Sequence, residues 1–289
     1  MVYANYSTIK EVSMTEVSLT TIVSNYANKL DFLGEDGMSL YINYKDKSLL
    51  FNTGTGESVL VNGVRLGIDF SEIDAVFLSH GFRSTAGGLP GVLAFRPKEV
   101  FAHPEIFERR YIRDESDFLV SVSSDLQKES ITPSQTKLTL NTRTTEVFPG
   151  VFFSGEIPFA LDAETSIEQK VFKCTGADLV PSSIKDEQFL LLQTQRGWIM
   201  VCGGTKRGLL SSIEKALCIS KERKLHMLVG RVDFKDDPLA LEADAELIDQ
   251  YFDVFVPTCI YHPKKMEHIH SLLGEKVNYL FIGETIEVY

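Results

Sequence analysis

Residues 78–88 read Leu-Ser-His-Gly-Phe-Arg-Ser-Thr-Ala-Gly-Gly. The apolar run Ala75–Leu78 closes on Ser-His-Gly, the pattern of a buried strand that delivers a histidine to a sheet edge. His80 in that place is a pocket base or an anion contact; the plainer alternative is a core imidazole packed on Phe82. The residues that should complete a site are Phe82, Arg83, Ser84 and Thr85, and none is a usual metal ligand. A second segment, Gly203-Gly204-Thr205-Lys206-Arg207-Gly208, lies between an apolar run and a helical pattern. Such a turn aims backbone N–H groups at a helix N-terminus, where anions bind. It lacks the G-x-x-x-x-G-K-[ST] order of a Walker A loop.

The elements that must position these residues are mostly strands in the first half. Ser18–Ser24 is rich in β-branched residues, and Met38–Tyr44 with Ser48–Phe51 reads as a hairpin turning at Lys45–Lys47. It runs into the glycine-bearing loop Asn52–Gly56, able to approach a site closely. A helix and loop at Asn62–Leu66 and Asp69–Ile73 precede the strand Ala75–Leu78. Further expectations are a helix from Gly87 to Leu93, a strand at Glu99–Ala102 and a helix across Ile106–Tyr111. Val147–Ser154 and Phe189–Gln193 read as strands, and the polar stretch Glu164–Lys170 as a mobile loop. Strand and helix then alternate: Trp198–Cys202, Leu209–Cys218, Leu225–Val229, Leu239–Tyr251, Val254–Pro257 and Lys264–Leu273. Tyr279–Ile282 and Thr285–Val288 read as a terminal hairpin. The expectation is one α/β domain of stacked layers over residues 1–289, with a loop insertion at 112–145.

The chain has 289 residues, 44% hydrophobic and 24% charged, enough for a full core and against disorder. A net charge of −11 argues against general nucleic-acid or anionic-membrane binding, leaving room for a local basic pocket. Cys174, Cys202, Cys218 and Cys259 form no CxxC and read as reduced thiols. With no signal-peptide pattern and no long apolar run, a cytoplasmic protein is expected. His268 and His270, spaced i, i+2, do not share a helical face; with His262 they read as surface histidines.

The order of these pieces resembles the metallo-β-lactamase fold, a four-layer αββα sandwich with metals at one edge between its sheets. Within that superfamily the chain resembles the dihydropterin-ribofuranosylaminobenzene phosphate synthase group. LLFNTGTG resembles the group's LFDTG turn, LSHGFRSTAGGL its LSHGHYDHTGGL, and FFSGEIP its SGEIP segment. WIMVCGGTKRGLL resembles a strand entering a Gly-Cys-Ser-His-Ala-Gly turn, HMLVGRVDF a GGFHL turn, and VPTCIY an HCTG turn. The resemblance implies a metal-dependent hydrolase or transferase acting on a pterin-like or phosphorylated compound. It implies a metal ligand at position 80, where His80 stands. It implies further ligands where this chain carries Phe82, Ser84, Thr85, Lys206, Asp233 and Thr258, and an aspartate where it carries Asn52. Of these, only Asp233 could still ligate.

Zinc chemistry needs three or four placed ligands, and a lysine ammonium repels a dication. The sequence therefore carries the expectation of a degenerate site with no cofactor, residual zinc, iron or manganese being the alternative through His80 and Asp233. Lys206 and Asp233 would form an ion pair replacing metal and ligand. Asn52, His80, Arg83, Ser84, Thr85, Lys206, Arg207, Arg231 and Thr258 are the candidate ligand-binding residues. Convergence of three of Arg83, Lys206, Arg207 and Arg231 would make a cationic pocket for a small phosphate or carboxylate; the plainer reading turns the arginines to solvent. Three functions follow: a non-hydrolytic binding protein for a small anion or a protein partner, an atypical enzyme using His80, Asp233 and Lys206, or a structural subunit of a complex.

Overall fold

The computed structural model describes residues 16–114, 116–131, 134–158, 171–176, 178–259 and 263–289. The expectations for Glu164–Lys170 and His262 lie outside the described residues.

The first sheet holds β1 (Val17–Val23), β2 (Ser39–Tyr44), β3 (Lys47–Phe51), β4 (Ala75–Phe77), β5 (Glu99–Ala102), β8 (Lys137–Leu140) and β17 (Thr285–Val288), ordered β17-β1-β2-β3-β4-β5-β8. The second holds β9 (Thr145–Phe148), β10 (Val151–Phe153), β13 (Phe189–Thr194), β14 (Gly197–Cys202), β15 (Leu225–Gly230) and β16 (Phe252–Pro257), ordered β16-β15-β14-β13-β10-β9. A small third sheet, ordered β12-β11-β6-β7, uses β6 (Arg110–Arg113), β7 (Leu119–Ser121), β11 (Val171–Thr175) and β12 (Asp178–Pro181). The helices are α1 (Ser58–Arg65), α2 (Arg83–Ala86), α3 (Leu89–Leu93), α4 (Lys128–Ile131), α5 (Leu209–Ser220), α6 (Pro238–Tyr251) and α7 (Pro263–Leu273).

Side-chain alternation builds the layers. In β3, Leu49 and Phe51 face the second sheet while Leu50 faces helices. In β13, Leu190 and Leu192 face the first sheet while Phe189 and Leu191 face the opposite way. Both sheets are buried on two faces, so their strands read as near-continuous apolar runs. One core lies between the sheets, a second packs β13–β16 against α5, α6 and α7, and a third packs β3–β5 against α1, α3 and α4. The order of layers is therefore helix, sheet, sheet, helix. Among the described residues, no helix is long and apolar enough to cross a membrane.

Three local expectations are corrected. The helix across Ile106–Tyr111 is a single 3-10 turn, Pro104–Phe107, followed by β6. Arg110 is drawn inward there as an extended residue with 0% exposure, a tertiary demand that overrides helix propensity. Val147–Ser154 is two strands, β9 and β10, separated by a turn at Gly150 (φ +83°). The terminal hairpin is absent, because β17 pairs with β1. Residues 278–283 instead bridge the two sheets: Asn278 and Leu280 N–H donate to Phe255 and Pro257, and Gly283 N–H donates to Thr21. Within 112–145, β7 belongs to the third sheet, and β8 pairs in parallel with β5 as part of the first.

Candidate functional site

The site forms where strands of both central sheets end side by side. Asn52 follows β3 in a left-handed conformation (φ +60°) and receives the Ser79 N–H on its Oδ1 at 2.8 Å. Its own N–H donates to Phe77 at 2.8 Å. The two strand ends are thereby tied, and His80 emerges just beyond.

His80 is 1% exposed. Its Nδ1 and the Ser79 hydroxyl are 2.9 Å apart, and its ring meets Phe82 edge-to-face at 4.9 Å. Its Nε2 has no hydrogen-bond partner among the described residues. Burial, with the nearby Lys206 ammonium adding to it, holds the imidazole well below its ordinary pKa, so it is neutral at pH 7. This is close to the plainer reading, with the Ser79 hydroxyl as the imidazole's partner.

The glycine-rich turn after β14 does capture anions, but they are the protein's own. Asp233, on the turn after β15, receives the Thr205 N–H at 2.9 Å and the Lys206 ammonium at 3.1 Å on Oδ2. Its Oδ1 receives Arg231 Nε at 3.0 Å. Glu187 receives the Lys206 N–H at 2.7 Å and the Arg207 N–H at 2.5 Å on its two oxygens. The N–H groups of Thr205, Lys206 and Arg207 are therefore committed to carboxyls of the chain itself. Burial alone would raise the Asp233 carboxyl; Lys206, Arg231 and the Thr205 N–H outweigh it and hold it below the usual range. The Lys206 ammonium also lies 5.2 Å from the Phe82 ring centroid, over its face.

Sequence reasoning missed the segment Asp186-Glu187-Gln188, whose three side chains are each at most 1% exposed. Its signal was three polar residues at the head of the apolar run Phe189–Leu192. Asp186 receives the Gly81 N–H at 2.7 Å and Arg110 Nη1 at 2.8 Å, so it holds the turn that carries His80. Arg110 also donates from Nε to Ser182 at 3.0 Å and lies 3.4 Å from Glu108.

Glu187 is raised from 4.5 to about 7 by burial, against the opposing pull of Lys206. A carboxyl that ionises late in the fold contributes stability at acid pH and loses it as pH rises from about 4.5 toward about 7. Glu187→Gln cannot ionise. It should gain on the wild type across that window, by on the order of 3 kcal/mol in full. Urea unfolding of both proteins at about pH 5 and about pH 8 checks this. The amide's poorer pairing gives a constant offset, so the slope is the readout, and a pH-independent difference would contradict it.

A cavity of about 540 Å³ opens in front of this network. Arg83, Lys206 and Arg231 line it, as do Ser84, Thr55 and Asp36. Phe82, Ile112, Val122 and Val171 supply its apolar wall. Arg83 is exposed and pairs with Asp125 at 3.5 Å. The other expected contacts lie outside the lining. Thr85 donates to the His80 and Phe82 carbonyls, at 2.7 and 3.0 Å. Arg207 turns inward, donating to the Ile157 and Ser183 carbonyls. Asn52 and Thr258 are buried, at 0% and 3% exposure. Cys202 and Cys259 are buried, and burial pushes the Cys202 thiol up, so it stays protonated.

The donor set does not fit the metal centre that the resemblance implies. An ammonium stands with Asp233, and a phenyl ring stands beside His80. Both Glu187 oxygens and both Asp233 oxygens already accept hydrogen bonds. Among the described residues, no group of three or more His, Cys, Asp or Glu could hold a metal ion.

Layer order and strand topology make this a metallo-β-lactamase-fold protein. A metal-dependent hydrolase of the β-lactamase superfamily superposes with a TM-score of 0.77 at 19% identity, covering 94% of this chain and 99% of that one. Zinc-bound PqqB from Methylobacterium extorquens gives 0.56 at 12% identity, with 94% and 100% covered. In sequence the chain is similar to the 7,8-dihydropterin-6-methyl-4-(beta-D-ribofuranosyl)-aminobenzene-5'-phosphate synthase of Methanocaldococcus jannaschii. The two are 28% identical over 226 residues, 74% of this chain and 76% of that one. No family profile matches the chain.

Proposed function

We propose that this protein binds a small anion in the cavity beside Lys206, without the metal chemistry of its fold. The observation that carries the reading is the Lys206–Asp233 ion pair, 3.1 Å long. It places a tethered cation at the turn where the resemblance implies a metal ligand. Arg231 and Arg83 add to the positive lining. The charge that attracts a phosphate or carboxylate is thereby supplied by side chains. The −11 net charge of the whole chain confines that attraction to the cavity.

Thermal unfolding of chelator-treated protein tests this directly. Inorganic phosphate, added in increasing excess, should raise the Tm progressively, as stabilisation grows with ligand excess over Kd. Arg231→Gln should blunt the rise. No response to phosphate or to carboxylates at any concentration would contradict the reading.

A second reading is favoured by the similarity to a synthase whose name describes a 5'-phosphate compound. In it the protein turns over a phosphorylated or pterin-like molecule, with His80, Asp233 and Lys206 as its acid, base and electrostatic groups. Lys206 lines the cavity, whereas His80 is enclosed behind Phe82. Turnover by chelator-treated protein that disappears in His80→Ala would establish it.

A further inference from the structure

We infer that the ligand is an amphipathic anion, a small carboxylate or phosphate joined to an apolar body; this rests on the anion-binding reading above. The cavity wall is divided by chemistry and by origin. Lys206 and Arg231 come from the turns after β14 and β15 and are joined through Asp233. The apolar part of the lining comes from the small third sheet and Phe82. Ile112 on β6, Val122 just after β7 and Val171 on β11 pack with Phe82 into one contiguous apolar cluster. Phe82 is the seam: its ring belongs to that cluster, and its face receives the Lys206 ammonium.

Volume points the same way. About 540 Å³ lies within the range that encloses small organic molecules. A bare phosphate on the cationic wall would leave the partly exposed Ile112 and Val122 wetted. An apolar body removes that surface from water while its head stays on Lys206 and Arg231.

Isothermal titration with unbranched carboxylates from acetate to octanoate, at about pH 7, tests the division. Affinity should rise about fourfold per added methylene until the cavity is filled. Ile112→Ser and, independently, Val122→Ser should flatten that rise while leaving acetate binding in place. Two variants are used, and urea unfolding reports the stability of each. Octanamide, neutral and of equal length, should bind at least tenfold more weakly than octanoate.

Equal affinity for acetate and octanoate would overturn this inference and leave the anion-binding reading standing. Octanamide binding as tightly as octanoate would remove the role of the cationic wall. Failure of every anion, phosphate included, would sink the anion-binding reading and this inference with it.

Discussion

Changing Arg110 to methionine is expected to cost about 3–5 kcal/mol of unfolding free energy. The guanidinium is wholly enclosed and pairs with Asp186, itself at 0% exposure, at 2.8 Å. Methionine preserves much of the volume but leaves Asp186 a buried charge with only the Gly81 N–H to stabilise it. The other Asp186 oxygen, Oδ1, has no partner among the described residues even in the intact protein. Restoring neutrality should therefore help. The double variant Arg110→Met with Asp186→Asn keeps an acceptor for Gly81 and should be more stable than Arg110→Met alone. Urea unfolding of the two single variants and the double gives the coupling. A loss under about 1 kcal/mol for Arg110→Met would show that the pair does not hold the His80 turn.

Lys206→Met should cost less, about 2–3 kcal/mol, because Asp233 keeps Arg231 and the Thr205 N–H. Its pH dependence is more telling than its size. The Asp233 carboxyl is held below its ordinary 3.8, so its contribution is present above that value and lost as pH falls through the folded value. Removing the ammonium weakens that contribution. The stability gap between wild type and Lys206→Met should then narrow as pH falls below about 4. A gap that is constant from about pH 7 to about pH 2 would mean that Lys206 acts through packing on Phe82 and not through charge.

Strands buried on both faces, such as β13 and β14, were legible because their apolar runs have no competing period. The Lys206–Asp233 pair was legible because the resemblance put both residues on turns of one edge. The segment at Ile106–Tyr111 was not. Its extended form is set by Arg110 reaching Asp186, 76 residues away. Nothing local marks a charged residue for burial. Asp186 and Glu187 were hidden for the same reason, since a polar run before a strand reads as a solvated turn. The turn at 203–208 was read as a site for a bound anion, but its N–H groups are taken by carboxyls of the chain itself. Its occupants, Glu187 and Asp233, come from elsewhere in the chain, and that left Arg207 facing inward and not toward the cavity.

We propose that side chains stand in place of a metal centre at this edge of the fold. Elemental analysis of the native protein, purified without added metal or chelator, tests this most directly. Zinc, iron and manganese are expected far below one equivalent per chain. Near-stoichiometric metal that is lost in both His80→Ala and Asp233→Asn would contradict it.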